Sequence, residues 1–244
     1  MPSLMPWDLL IWAAPVTLAA GLMRGFAGFG SGMLMAPFFI QLFGPVDTVV
    51  LIVGLEIVVT AQLLPSVYRH IDWSLVLPMG GVAALAMPVG TWLLLTLDTQ
   101  IVSNCVGVII IGFCLALTTG WRYRGPKPVL LTSAIGALSG VLMALTSLGN
   151  PPVAVYLMAT DATAVSIRAN LTVYFAVTLA ALIAWMSSRS LFAMDTVLLL
   201  LVLLPIFVAG AVAGTRGFRA SNDVLYRRVA LTVLYLAGLF ALLA

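Results

Sequence analysis

The run TVLLLLVLLPIFVAGAVAG, Thr196 to Gly214, holds no charged residue; Asp195 precedes it and Arg216 follows shortly after it. A helix needs roughly 20 apolar residues to cross a hydrocarbon core about 30 Å thick, and this run is of that length. Its apolar residues are continuous, whereas the strands of a membrane barrel alternate at every second position. Unpaired backbone groups are costly in hydrocarbon, so such a run must pair with itself as a helix. The pattern holds outward from this stretch along the whole chain. Of 244 residues, 63% are hydrophobic and 8% are charged, against roughly 25% charged in soluble domains. Eleven Lys and Arg and eight Asp and Glu cannot cover a body of this size with polar surface. Most of them stand in short segments between apolar runs. A soluble fold is excluded, and the composition specifies an all-α polytopic membrane protein.

The net charge of +3 and pI near 9.1 do not point to nucleic acid. The basic residues lie between apolar runs, where the positive-inside rule places them. Cys105 and Cys114 stand nine residues apart on one expected helix and face opposite sides of it, so no disulfide or shared metal is expected. The first basic residue is Arg24, and with nothing positive before the first apolar run no cleavable signal peptide is expected.

Apolar segments fall near 9–24, 28–43, 47–66, 74–96 and 100–120, and again near 130–147, 151–159, 165–187, 194–213 and 226–243. Each half begins with a pair of short segments interrupted by Gly and Pro and continues with three long ones. The spacing predicts a first repeat over 1–124, a basic cytoplasmic linker over 125–128 and a second repeat over 129–244. Gly21 and Gly25 match Gly136 and Gly140 in spacing, and Gly90-Thr91 matches Gly214-Thr215. If each short pair enters and leaves on one side, Arg69, Arg122, Arg124, Lys127, Arg168, Arg216, Arg219, Arg227 and Arg228 share a face, with Arg189 alone opposite. Counting each pair as one crossing splits the same residues evenly, so the charge bias selects the first arrangement. Three long crossings per half then make the halves inverted repeats, with both termini outside. Paired, interrupted segments in inverted repeats are a recurring transporter architecture, and the interruptions mark its binding site.

The first interruption reads GFAGFGSGMLMAP (Gly25 to Pro37), and the second GALSGVLMALTSLGNPP (Gly136 to Pro152). These motifs, with a Tyr-containing apolar run after the second, resemble the sulfite exporter TauE/SafE family of membrane transporters. The resemblance covers essentially the whole chain. It implies a carrier of sulfite, an organosulfonate or another small organic anion in the bacterial inner membrane, with an exporter's role. In the positions where the family is more purely glycine and proline, this chain has Gly30-Ser31-Gly32 and Gly149-Asn150-Pro151.

The residues themselves allow an anion site independently of that resemblance. Glycines let the backbone turn, and the half-helix that follows begins with unpaired N–H groups at the positive end of its dipole. An anion at bilayer depth can be held there. Gly28, Gly30, Ser31, Ser147, Gly149 and Asn150 are the expected binding residues, with Thr146 a further hydroxyl. The competing role for these small residues is close helix packing. Arg24 stands beside Gly25 with no hydrophilic loop around it; its guanidinium suits two oxygens of one anion, or it reaches the headgroups by snorkelling. Glu56 is the acid placed midway along a long apolar segment: a proton-coupling carboxylate, a counter-ion to Arg24, or a structural carboxyl, neutral or hydrogen-bonded inside the bundle. Thr60 follows one turn later. Asn170, Tyr174 and Thr178 recur every four residues and form a polar stripe that lines a path or bonds neighbouring helices. Arg168 reads as a topology determinant rather than a ligand, and His70 as a solvated loop residue.

The chain offers no metal-ligand cluster, nucleophile–base pair or Walker loop. No catalytic residue, metal or cofactor is expected, and the protein is not expected to be an enzyme. The expected partners are the lipid bilayer, a small anionic substrate and possible coupling protons. A carrier of a carboxylate or a passive anion channel remains the alternative.

Overall fold

A computed structural model of the protein describes residues 7–28, 30–118, 128–148, 150–158, 163–188, 193–219 and 232. Nine helices run through them: α1 (Trp7–Ala27), α2 (Ser31–Phe43), α3 (Pro45–Val67), α4 (Trp73–Thr96), α5 (Thr99–Thr118), α6 (Val129–Thr146), α7 (Asn150–Met158), α8 (Ala164–Ser188) and α9 (Met194–Arg219). One 3₁₀ turn, Tyr68–His70, joins α3 to α4. No strand occurs among the described residues. The segment expected over 226–243 and the basic loop carrying Arg122, Arg124 and Lys127 lie outside the described residues.

Six of these helices, α1, α3, α4, α6, α8 and α9, are long and apolar enough to cross a membrane. The protein is thus a multi-pass, all-helical membrane protein. Side chains such as Leu85, Leu130 and Met194 point outward and are largely exposed. Such a surface would make a soluble protein aggregate; in hydrocarbon it is the expected exterior.

The first leg of the first pair is longer than the spacing predicts, and that of the second pair has the expected length. α1 has 21 residues and α6 has 18. The second legs are the short ones: α2 has 13 residues and α7 has 9, or about 20 Å and 14 Å of rise, too little to span. The difference arises at Gly25, where a break was expected. The helix passes through it to Ala27, and the amide of Gly28 still donates to the Arg24 carbonyl at 2.9 Å. Gly25 serves packing instead. A Cβ on it would stand 1.9 Å from the Ala211 carbonyl oxygen of α9.

The same device joins the two halves of the chain twice. α1 lies along α9, where Gly21, Gly25, Gly210 and Gly214 each bring one backbone against the other. α4 lies along α6, where Gly136 and Gly140 meet the backbone at Met79 and Ala83, and Gly90 meets that at Val141. Small residues at such crossings allow the close van der Waals contact that holds helices together in lipid. The third strong contact between halves is α3 on α8.

Hydrogen bonds between helix ends fix the register. At one end Asn170 Oδ1 accepts from the Asp72 amide at 2.8 Å, tying α8 to the start of α4. Arg168 and Thr215 both donate to the Gly25 carbonyl, at 3.2 Å and 3.3 Å. Arg168 thereby lies against the end of α1. Toward the other end Thr196 donates to Asp47 at 2.7 Å, joining the first turns of α9 and α3.

These crossings yield a paired test. Gly25→Ala, which places a methyl inside the α9 backbone, should lower the melting temperature in detergent and the yield of folded protein. Gly81→Ala, with nothing within 4 Å of its Cβ, should leave the melting temperature unchanged or raise it, by at most about 1 kcal/mol of helix propensity.

Candidate functional site

The first interruption is short. Gly28 and Gly30 have φ of 79° and 89°, a left-handed conformation that glycine adopts without steric cost. α2 then starts at Ser31, and no side chain among the described residues caps it. Its first N–H groups have no helical acceptor and form the positive end of its dipole. The second interruption follows α6. Ser147 has φ of 60°, the non-glycine residue with positive φ among those described. Thr146 steadies the turn, donating to the Leu142 carbonyl at 2.8 Å and accepting from the Leu148 amide at 3.2 Å.

The two interruptions meet inside the bundle. A Cβ on Gly32, in the first turn of α2, would stand 3.1 Å from the Ser147 carbonyl oxygen and 3.6 Å from the Leu148 side chain. The start of one half-helix thus rests on the break in the other half of the chain.

Beside this meeting point lies a buried ion pair. Arg24, in the last turn of α1, is 0% exposed, and Glu56, at the midpoint of α3, is 1% exposed. Arg24 Nε lies 2.6 Å from Glu56 Oε2. The rest of the guanidinium is also engaged. One terminal nitrogen donates to the Gly28 carbonyl and the other to Thr60 Oγ1 at 2.7 Å, while the Phe175 ring of α8 packs against it at 4.7 Å. The second carboxylate oxygen of Glu56 accepts from the Ser31 hydroxyl. One ion pair therefore joins the end of α1, the turn, the start of α2 and the middle of α3. Snorkelling of Arg24 to the headgroups does not occur; the guanidinium turns inward to its counter-ion, because an arginine at depth without a partner would be costly.

Two buried hydroxyls stand apart from this network. Ser147 Oγ and Thr91 Oγ1 are on residues 3% and 2% exposed and have no hydrogen-bond partner among the described residues. A buried hydroxyl left without a partner is costly, and a bound ligand is one way to satisfy it. Arg168 also reaches the first interruption. Its Cγ would lie 3.2 Å from a Cβ on Gly28, and its guanidinium donates to Gly25. Its place in the sequence signals topology, and only the fold shows that it lies over the turn.

The polar stripe of α8 bonds its neighbours. Asn170 accepts from the Asp72 amide just before α4, Tyr174 donates to Ser139 of α6 at 2.7 Å, and Thr178 donates back to the Tyr174 carbonyl of its own helix at 2.9 Å. Asn150 begins α7, and Gly149 lies outside the described residues. The structure thus brings together Arg24, Gly28, Gly30, Ser31, Glu56 and Ser147, and sets Asn170 and Tyr174 at junctions between helices. Thr60 was legible as a polar residue one turn beyond Glu56. Ser139, isolated in an apolar run, gave no signal beyond its place between two glycines.

A protein-family model described as Sulfite exporter TauE/SafE matches residues 13–241 of the 244. No curated protein and no solved structure gives a significant match.

If the pair is the brace of this region, removing one charge should cost more than removing both. Arg24→Met or Glu56→Gln alone leaves a buried charge without its partner and should destabilise the protein by about 3–5 kcal/mol. The double variant should recover roughly 2 kcal/mol of the summed loss. Thermal unfolding of the three variants in one detergent measures the coupling.

Proposed function

The chain belongs to the sulfite exporter TauE/SafE family, and on that premise we propose that it carries a small oxyanion, sulfite or an organosulfonate, across the bacterial inner membrane by alternating access. The observation that carries this proposal is the meeting of the two interruptions: an uncapped half-helix start, beside the buried Arg24, rests on the backbone of Ser147, whose hydroxyl has no hydrogen-bond partner among the described residues. Each is a feature that favours an oxyanion. The half-helix start offers N–H groups and a positive dipole, the guanidinium offers its charge and the Nε donor that Glu56 takes, and the hydroxyl offers one more donor.

In this proposal Gly28 and Gly30 keep the turn free of side chains, Ser31, Ser147 and Asn150 supply polar contacts, Gly149 opens the second turn, and Arg24 provides the charge. Glu56 is the coupling group. Asn170 and Tyr174 position α8 against α4 and α6. Alternation arises from one half rocking against the other along the α1–α9 and α4–α6 crossings. Access by rocking suits a site whose arginine is wholly buried, since an open pore would leave it in contact with water. A carrier exchanges its substrate across the membrane and so shows counterflow, which a passive channel does not.

The test is counterflow of labelled sulfite in liposomes. Wild type should accumulate label transiently when preloaded with unlabelled sulfite. Ser147→Ala should raise the half-saturating concentration about tenfold, the loss of one hydrogen bond to a charged ligand. Flux without counterflow would contradict the carrier, and unchanged saturation in Ser147→Ala would remove that residue from the site.

A further inference from the structure

The Arg24–Glu56 pair is not needed to join two helices at this place in the fold. Arg24 stands between Gly21 and Gly25 on α1 and meets Glu56, which precedes Thr60 by one turn on α3. Ser139 stands between Gly136 and Gly140 on α6 and meets Tyr174, which precedes Thr178 by one turn on α8. The same spacing of glycines and threonines thus surrounds a charged junction in one half and a neutral hydrogen bond in the other. Both junctions are buried. A buried ion pair is often no more stabilising than a well-packed neutral pair, so packing does not explain the charges.

The contacts of the Glu56 carboxylate do. One oxygen lies on Arg24 Nε and the other takes the hydroxyl of Ser31, the first residue of α2. A guanidinium and the start of a half-helix are the two groups that would hold a free oxyanion here. Glu56 is a tethered carboxylate lying on the guanidinium and on the side-chain hydroxyl of the half-helix's first residue. We infer that Glu56 occupies the seat of the transported anion and leaves it only as the neutral acid, so that one proton crosses with each anion. This rests on the carrier proposed above.

The charge balance requires the proton. With Glu56 ionised, the buried pair is neutral. If an anion came to Arg24 while Glu56 kept its charge, the site would hold one uncompensated negative charge out of water, at large desolvation cost. When a proton from water adds to the carboxylate, the anion replaces it on Arg24 and Ser31 and the sum of charges stays zero for a monovalent anion. No covalent bond to the anion forms or breaks.

Few other titratable groups surround α3. Among the described residues α8 brings Arg168 and the Tyr174 phenol, the latter bonded to Ser139. α9 brings Asp195 and Arg216 toward its two ends, and the turn after α3 brings Tyr68, Arg69 and His70. α5 brings the Cys105 thiol; α2, α4 and α6 bring nothing that titrates. On α3 itself, Asp47 bonds Thr196 at the far end. Arg24 is the charged group in contact with Glu56 among the described residues. The seat fits a face of two oxygens, as a sulfonate, sulfite or carboxylate presents and a halide does not.

Methanesulfonate is the probe, because it stays ionised and cannot carry the proton itself. Wild type and E56Q are reconstituted into phosphatidylcholine–phosphatidylglycerol liposomes with a trapped pH dye, and an inward methanesulfonate gradient is applied with the membrane potential clamped at zero. Wild type should acidify the lumen by one proton for each methanesulfonate that enters. E56Q should move methanesulfonate without acidification, respond to an imposed membrane potential, and half-saturate at a concentration about tenfold lower, because a neutral amide competes weakly for the guanidinium. Entry without acidification in wild type, or acidification by E56Q equal to wild type, overturns the inference while leaving the carrier intact. So does a wild type that carries sulfite but not methanesulfonate. If E56Q does not fold, the proton ratio of wild type decides alone. If folded wild type carries neither anion, nor acetate, the carrier itself falls and this inference with it.

Discussion

A guanidinium and a carboxylate lie against each other buried inside this bundle, and the arrangement around them follows from the need to keep both satisfied. Arg24 cannot remain alone at that depth. It takes Glu56, the Gly28 carbonyl and Thr60 as acceptors, with Phe175 against it. Meeting those demands sets the turn after α1, the start of α2 and the position of α3 relative to both. Gly28 and Gly30 let the turn take this shape because glycine adopts their positive φ without steric cost.

The wider bundle presents the turn to the other half of the chain. Water supplies no hydrophobic force between helices within a bilayer, so close contact and hydrogen bonding must hold them together. The glycine crossings of α1 with α9 and of α4 with α6 supply the contact, and each joins a helix before the basic loop to one after it. These crossings carry Gly32 up to the Ser147 carbonyl, so that the first half-helix starts against the second interruption. The turn and the helix packing thus use different glycines of the same motif. Gly21 and Gly25 pack; Gly28 and Gly30 turn.

That division was the part the sequence did not show. Charge-free runs such as Thr196 to Gly214 make the helices legible, because hydrocarbon leaves the backbone no other option. The same holds for the Arg24–Glu56 pairing, since few ionisable residues stand inside apolar runs and each needs a partner. Which glycine ends a helix cannot be read from composition, since a glycine suits both a turn and a close crossing. Gly25 was therefore expected at the break and lies within α1. Arg168 was legible as a marker of topology but not as a neighbour of Gly28, because that contact depends on how α8 lies against α1. The junction of Ser139 with Tyr174 was hidden for the same reason. Its members are ordinary polar residues until the fold sets them beside each other.

The proposed carrier holds its anion where the two interruptions meet, and the structure of the protein with selenite, a heavier analogue of sulfite located by anomalous scattering, tests this most plainly. Selenium should lie within hydrogen-bonding reach of Arg24, Ser31 and the Ser147 hydroxyl, with Glu56 turned away from the guanidinium. Selenium elsewhere in the bundle, or at this position with the Glu56 carboxylate still on Arg24, would contradict it.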